Sequence, residues 1–307
     1  MAQLGPASGL TARGPADDVA THQLPLSAMA AVAAADAVRA LAEDIGTGDV
    51  TARLVPTDAV ARARLVCRDD AVICGQPWAA AVLAAVDARL AVQWVVEEGS
   101  RVSPGSVIAH FEGPAAALLT AERTLLNFLQ TLSAIATRTR TFVDAVAHTP
   151  AHICDTRKTM PGLRLASKYA VRVGGGCNQR IGLADGVLIK ENHIRAAGGI
   201  KAAIAAVYCS AANVPLQVEV TSLDELRQAL EAGVSRVLLD NFSLEMMRSA
   251  VQQYGAAAEL EASGGVSLDT VRDIAGTGVH RISVGSLTKD VVATDLSLQF
   301  WPWPEAG

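Results

Sequence analysis

The chain has 307 residues, half of them hydrophobic and 19% charged, with a net charge of −5. That length suits two domains or one barrel with an attachment, and the composition suits a globule with a good core. The acidic balance excludes non-specific nucleic-acid binding, which needs a basic field to release counterions, so any cationic site has to be local.

The opening MAQLGPASGLTARGPADD has no basic stretch followed by an apolar core, so it is not a signal peptide; residues 1–20 read as a disordered leader. No apolar run reaches the roughly 18–20 residues that span a bilayer. Cys67, Cys74, Cys154, Cys177 and Cys209 form no CxxC pair. Such a scattered, odd set suits buried thiols in a reducing cytoplasm and argues against zinc. Leu26–Leu41, rich in Ala, Met, Leu and Val, predicts a helix. EDIGTGDVTARLV follows as a glycine-turned loop into an ARARLVCR strand, and Ala79–Arg89 predicts a second helix. LAVQWVVEEGSRVSPGSVIAHFEG alternates and turns as a hairpin set; it has no tip lysine, so a biotinyl or lipoyl carrier is disfavoured. Ala115–Ala147 predicts a long helix with Leu125, Leu129, Leu132 and Ala136 facing the core. On it, Arg138 and Arg140 read as solvated surface, and Arg123 is left open.

From His152 onward, short apolar runs end abruptly in polar residues. AHIC ends at Asp155, Thr156, Arg157 and Lys158; GVLI ends at Lys190, LQV at Glu219 and RVLL at Asp240. AELEA ends at Ser263, Gly264 and Gly265, and RISV at Gly285 and Ser286. Helix-like segments lie between them; one opens with a capping box, Ser222 to Glu225, and stops at Gly233. Glu219, Asp240, Ser263 and Gly285 are spaced by 21, 23 and 22 residues, a βα repeat of nearly constant period. Repeated βα units build a parallel sheet with helices outside, and six or so suggest a barrel with its active site at the C-terminal strand ends. Polar groups at so many strand ends are costly if they serve packing alone.

KYAVRVGGGCNQRIGLADGVLIKENHI, from Lys168 to Ile194, sets three glycines beside Arg172, Arg180, Lys190 and His193. That concentration of charge calls for a small, highly anionic ligand. Only five of the 26 basic residues are lysine and none precedes Lys158, yet Lys158 and Lys190 fall inside these segments. Lysine offers a compact point charge that shifts its pKa readily, where arginine offers a planar fork. Arg157, Lys158, Arg172, Arg180 and Lys190 form the cationic set, and arginine matches carboxylate or phosphate bidentately. The SGG loop (Ser263, Gly264, Gly265) and the VGS loop (Gly285, Ser286) follow the last two strands, where barrels often bind phosphate on backbone N–H groups. Glu219 and Asp240 end neighbouring strands and suit Mg²⁺, held directly or through water, or sugar hydroxyls. A glycosidase-like acid/base pair fits less well beside so many cations, and a salt bridge to a nearby lysine is the plain structural alternative.

At these residues the chain resembles the quinolinate phosphoribosyltransferases, the carboxylating nicotinate-nucleotide pyrophosphorylases of NAD biosynthesis. The likeness runs from EDIGTGDVTA through LLTAERTLLNFLQTLSAIAT, DTRKTMPGLR, the Lys168–Ile194 block, VEVTSLDE, LLDNF and ISVGSLTKD, over roughly residues 35–298. The resemblance implies an α/β fold: an N-terminal α/β sandwich domain over 21–122, joined by the C-terminal segment 289–307, and an incomplete (β/α) barrel over 123–288. It implies a cytoplasmic homodimer with a shared active site, in which one subunit's sandwich domain covers its partner's barrel. The implied reaction joins quinolinate to phosphoribosyl pyrophosphate, with Mg²⁺ as cofactor, and gives nicotinate mononucleotide, pyrophosphate and CO2. By the same resemblance Arg123 reaches the neighbouring subunit's quinolinate site, and Arg157 and Arg180 bind quinolinate carboxylates. Lys158 and Lys190 sit between the two substrates as catalytic groups. Glu219 and Asp240 serve the ribose hydroxyls and Mg²⁺, and Ser263, Gly264, Gly265, Gly285 and Ser286 hold the 5′-phosphate.

One position departs from the family pattern. Where GGGxNHR has His, this chain has Gln179. Gln can donate a hydrogen bond that orients a carboxylate but cannot carry charge, so the expectation is weaker or pH-shifted quinolinate binding rather than loss of function. Three rivals remain at this point: a same-fold transferase acting on another base, an aldolase-like barrel using Lys190 as a Schiff-base amine, and a non-catalytic sugar-phosphate sensor.

Overall fold

The computed structural model describes residues 26–210 and 214–300 of the chain. The leader expected over 1–20 and the WPWPEAG tail lie outside them. The first element, α1 (Leu26–Ile45), buries Met29, Ala33, Ala37 and Leu41, a stripe at a spacing of four that faces one side of a helix. It packs on α2 (Gln76–Val86) and α3 (Ala115–Val146). Asp36 of α1 is buried with them and accepts a hydrogen bond from Trp78 Nε1 at 2.8 Å.

These helices cover one face of an antiparallel sheet. It is built from β1 (Val60–Cys67), β3 (Ala91–Trp94), β5 (Val107–Pro114) and β12 (Leu296–Phe300), in the order β12-β1-β5-β3. In β1, Ala61, Ala63 and Leu65 point into the core while Val60, Arg62 and Arg64 point out, the period-two pattern of a half-buried strand. The C-terminal strand β12 thus returns to the N-terminal sheet. A two-stranded ribbon, β2 (Ala71–Val72) with β4 (Arg101–Val102), lies beside it.

The long helix α3 crosses the division placed at 122/123 and carries the chain into the second sheet. Six parallel strands form that sheet: β6 (His152–Cys154), β7 (Val187–Ile189), β8 (Leu216–Val220), β9 (Arg236–Asp240), β10 (Glu259–Ser263) and β11 (Arg281–Ser283). Their order is β6-β11-β10-β9-β8-β7, so the sheet wraps round until β6 and β7 form its two edges. This is an incomplete barrel. Cys177 begins to close the gap, making one parallel bridge with Cys154 of β6.

Helices α4 (Arg164–Val173), α5 (Glu191–Ala197), α6 (Ile200–Ser210), α7 (Leu223–Glu231), α8 (Leu244–Tyr254), α9 (Leu268–Ala275) and the short α10 (Ser286–Lys289) connect the strands. Ser222 caps α7 as its sequence predicts, accepting from Glu225 N at 3.2 Å. The returning arm differs: the Glu225 carboxylate takes Thr221 N rather than the Ser222 N–H.

Three sequence readings are corrected here. Arg138 and Arg140 are half-buried, not solvated: Arg138 lies over the Phe142 ring at 5.8 Å, and Arg140 packs on Gly175. The glycine triplet serves packing, because a Cβ on Gly174 would fall 2.5 Å from Ala136 O and one on Gly176 would fall 2.8 Å from Thr139 Cγ2. These glycines therefore let the chain after α4 lie against α3 rather than opening the backbone to an anion. Of the cysteines, Cys67, Cys74 and Cys154 are buried, but Cys177 is half-buried and Cys209 is exposed. Among the described residues no helix is long and apolar enough to cross a membrane.

Candidate active site

The C-terminal ends of the barrel strands form a mouth. At the end of β6, Asp155 is fully buried and accepts from Lys168 Nζ at 2.5 Å, Asn178 Nδ2 at 2.6 Å and Gln179 N at 2.9 Å. Lys168 Nζ also donates to Gln179 O at 3.0 Å. Burial pushes the Asp155 carboxyl up and the Lys168 ammonium down, and each charge opposes the other's shift. The pair pins the backbone of residues 178–179 to the end of β6. Arg157 and Lys158 follow on one side of this clamp and Arg180 on the other.

Arg157 lies near enough for its charge to act on Arg180, with Asp185 as the opposing charge. Burial lowers the Arg180 guanidinium from its ordinary value, and the Arg157 charge lowers it further. Arg180 Nη1 donates to Gly186 O at 3.0 Å, while Arg157 Nε is buried with no hydrogen-bond partner. A buried charged donor left unsatisfied is costly, and an anion would satisfy it. The loop carrying Arg180 is held by Asp185, which accepts from Ile181 N and Gly182 N, both at 2.6 Å.

Lys158 crosses Gly285: a Cβ there would lie 3.1 Å from Lys158 Cδ and 3.9 Å from its Nζ. A side chain on the VGS loop at this position would press on the lysine stem. On the far rim, Lys190 forms an ion pair with Glu219, the plain structural alternative raised by the sequence. Asp240 accepts from Asn241 Nδ2 at 2.9 Å. Asn241 has a left-handed φ of 55°, and its N–H donates to Ser263 O at 2.9 Å. Gly264, at φ 93°, sits where any Cβ would strike the Asn241 amide. The Asp240 and SGG turns are therefore meshed, and a left-handed Asn at such a place is a conformation that the surroundings must hold.

Below the mouth the interior is polar. Glu261 is 1% exposed. One of its oxygens accepts from Gln179 Nε2 and Ser283 Oγ, the other from Gln217 Nε2 at 2.9 Å and Arg281 Nε at 3.3 Å. Gln179 Nε2 also donates to Ser283 Oγ at 2.8 Å, so both amide hydrogens are used. The sequence reading expects Gln179 to orient a quinolinate carboxylate; in the structure its amide donates to the chain's own Glu261 and to Ser283. Deeper still, Glu259 pairs with Arg236 and with Arg281.

Arg157, Lys158, Lys190, Glu219, Asp240 and the two glycine loops thus stand at one end of one sheet, while Arg180, in the loop ahead of β7, turns its guanidinium to Gly186 O. Arg172 is elsewhere, its charge acting on Tyr169 beside Glu98. Arg123 is exposed on α3, with no hydrogen bond or ion pair to the mouth among the described residues. The loop ahead of it is bolted to α3, since Thr120 Oγ1 donates to Asp49 at 2.8 Å and Thr124 Oγ1 to Asp44 at 3.3 Å. Sequence reasoning missed Asn241, Glu261 and Arg281. Period-two polar residues in Glu259, Glu261, Ser263 and in Arg281, Ser283 were the available signal.

Comparison with known proteins agrees with this architecture. The family model described as quinolinate phosphoribosyl transferase, N-terminal domain, matches residues 49–133, and that for the C-terminal domain matches 135–299. The nicotinate-nucleotide pyrophosphorylase [carboxylating] of Mycobacterium leprae is 44% identical over 274 residues, covering 87% of this chain and 96% of its own. Quinolinate phosphoribosyltransferase [decarboxylating] 2, mitochondrial, of Nicotiana glauca is 41% identical over 281 residues, covering 85% of this chain and 80% of its own. The solved nicotinate-nucleotide pyrophosphorylase of Francisella tularensis superposes with a TM-score of 0.87 at 43% identity, over 92% of this chain and 99% of that one. With both family segments matched in order and a solved relative of the same fold, the chain belongs to the quinolinate phosphoribosyltransferase family.

Proposed function

We propose that the chain transfers the phosphoribosyl group of phosphoribosyl pyrophosphate to quinolinate, giving nicotinate mononucleotide, pyrophosphate and CO2 for NAD biosynthesis. One observation carries the reading: the Arg157 charge acts on Arg180, and Arg157 Nε is buried without a partner. A planar dicarboxylate supplies charge to both guanidiniums at once. Lys158 and Lys190 offset the charge beside it; the VGS turn, which lies against the Lys158 stem, and the SGG turn offer backbone N–H groups to the 5′-phosphate.

The chemistry needs no protein nucleophile. The C1′–O bond loosens, its electrons leave with pyrophosphate, and the quinolinate ring nitrogen attacks C1′. The C2–carboxylate bond then breaks; its electrons stay beside the positive nitrogen until C2 takes up a proton from solvent. The chain orients both substrates and offsets charge through Lys158 and Lys190. Glu219 and Asp240 accept from the ribose hydroxyls.

Magnesium, the dimer and the compartment are part of the same proposal. Glu219 and Asp240 are hard oxygen donors, and no group of three or more His, Cys, Asp or Glu among the described residues could hold a metal. That pair of carboxylates would hold Mg²⁺, directly or through water. When bound, the ion offsets the charge of the leaving pyrophosphate. In this reading Arg123 serves a second copy whose barrel mouth the sandwich domain covers, and its exposure on α3 supports that role. The free cysteines suit a reducing cytoplasm.

The test is to supply quinolinate, phosphoribosyl pyrophosphate and Mg²⁺ and follow nicotinate mononucleotide and CO2 together. Equal amounts are expected, and nicotinate should fail as a substitute. Binding of phosphoribosyl pyrophosphate with neither product would overturn the reading.

A further inference from the structure

Glu261 has no acceptor position left for a substrate, and it is the most heavily engaged carboxylate under the mouth. It is 1% exposed and sits on β10 two residues below Ser263, about 7 Å by the rise of a strand. All its acceptor capacity is taken: Gln179 and Ser283 on one oxygen, Gln217 and Arg281 on the other. With Glu259, Arg236 and Arg281 it completes a charge-balanced interior of two acids and two arginines. Stability does not require this, since branched apolar side chains usually fill barrel interiors and buried ion networks are often no more stable than apolar replacements. A role in placing something else explains the expense better.

The group it places is Gln179. That residue is fixed at every polar atom but its amide oxygen: the N–H donates to Asp155, the C=O accepts from Lys168, and the side-chain amide donates to Glu261 and Ser283. Arg180 is the next residue. It also borders, with Gln179, Gln217, Glu261 and Arg281, a small, partly open pocket of about 20 Å³, room for about one water. The side chain that differs from the family pattern is thus a strut from the barrel interior to the substrate arginine.

We propose that Glu261 is a positioning residue: through the Gln179 amide it sets the place of Arg180 against the carboxylated substrate. The neutral amide suffices at 179 because Arg281, not residue 179, balances the Glu261 charge. This rests on the quinolinate reading above.

The test compares wild type, Gln179→Leu, Glu261→Gln and the double variant as full chains. Quinolinate and phosphoribosyl pyrophosphate affinities are measured by calorimetry, with turnover followed separately. Each single change should weaken quinolinate binding about tenfold and leave phosphoribosyl pyrophosphate within about twofold, and the double should be no worse than the weaker single, as coupled residues behave. Gln179→His, which keeps a donor toward Glu261, should restore binding to within about threefold of wild type. Unchanged quinolinate affinity in Glu261→Gln overturns the inference, as does an equal loss for both ligands. Wild type that binds quinolinate without turnover defeats the function but leaves this comparison decisive; wild type that binds none defeats both.

Discussion

The two sheets of this molecule carry charge in opposite ways. In the antiparallel sheet, Arg62 of β1 faces Glu112 of β5 across the open side, with side chains 69% and 53% exposed. In the parallel sheet, Arg281 faces Glu261 inside the barrel, 5% and 1% exposed. The register is equally direct in both, Arg62 opposite Glu112 and Glu261 opposite Arg281. Only closure differs. Where the sheet stays open, water screens the pair and the charges serve solubility. Where it wraps round, the same residue types must satisfy every lone pair among themselves, and the result is a fixed scaffold under the mouth.

The largest effect should come from breaking the most buried pair. Asp155→Asn removes the charge opposite Lys168 and should destabilise the fold by roughly 3–5 kcal/mol, the usual cost of orphaning a buried ion, read by urea unfolding. The pH dependence has a definite sign. Burial raises the Asp155 carboxyl above its ordinary 3.8, so its contribution is complete below that pH and is lost as pH rises through the raised value. An Asp155→Asn, Lys168→Met double variant lacks this loss. It should therefore gain stability relative to wild type as pH climbs from 3.8 toward neutrality, and a constant difference would contradict the burial argument.

A smaller effect is expected at the mouth, where the cost falls on binding rather than folding. Arg157→Ala removes a charged donor that the chain itself leaves unsatisfied, so the free protein should lose little or no stability. Quinolinate binding should fall about 10- to 100-fold, matching roughly 1.5–3 kcal/mol for a hydrogen bond to a charged group. Thermal unfolding without ligand beside calorimetry with quinolinate separates the two. A large fall in unfolding temperature would mean that Arg157 is structural.

The sequence carried the barrel well because each strand announces its own end. The runs closing at Glu219, Asp240, Ser263 and Gly285 needed only the βα period to be placed on one rim. The interior was harder to see. Glu259 and Glu261 sit inside AELEAS, a run read as a strand by its apolar members; their period-two spacing puts them on one face but does not say that this face is the inner one. Their burial follows from closure of the sheet, a tertiary fact. The glycine triplet misled for a related reason: flexibility and close packing ask for the same residue, and only α3 lying against Gly174 and Gly176 decides between them. Asn241 was hidden because its left-handed turn is set by Gly264, which lies more than twenty residues along the chain.

The smallest effect tests the open side of the comparison. Arg62 Nε and Nη2 donate to both oxygens of Glu112, at 3.1 and 3.2 Å, a two-pronged geometry that looks strong on paper. Exposure should cancel most of it. A double-mutant cycle of Arg62→Ala and Glu112→Ala should give a coupling of about 0.2–1 kcal/mol that shrinks further as salt is raised. The cycle isolates the pair because neither change touches the apolar face of β1, where Ala61, Ala63 and Leu65 hold the core. If the coupling instead approached the value expected for Asp155 and Lys168, and resisted salt, the pair would have to be shielded from water. The open face of this sheet would then be covered in solution, which a second copy of the chain docking there would accomplish.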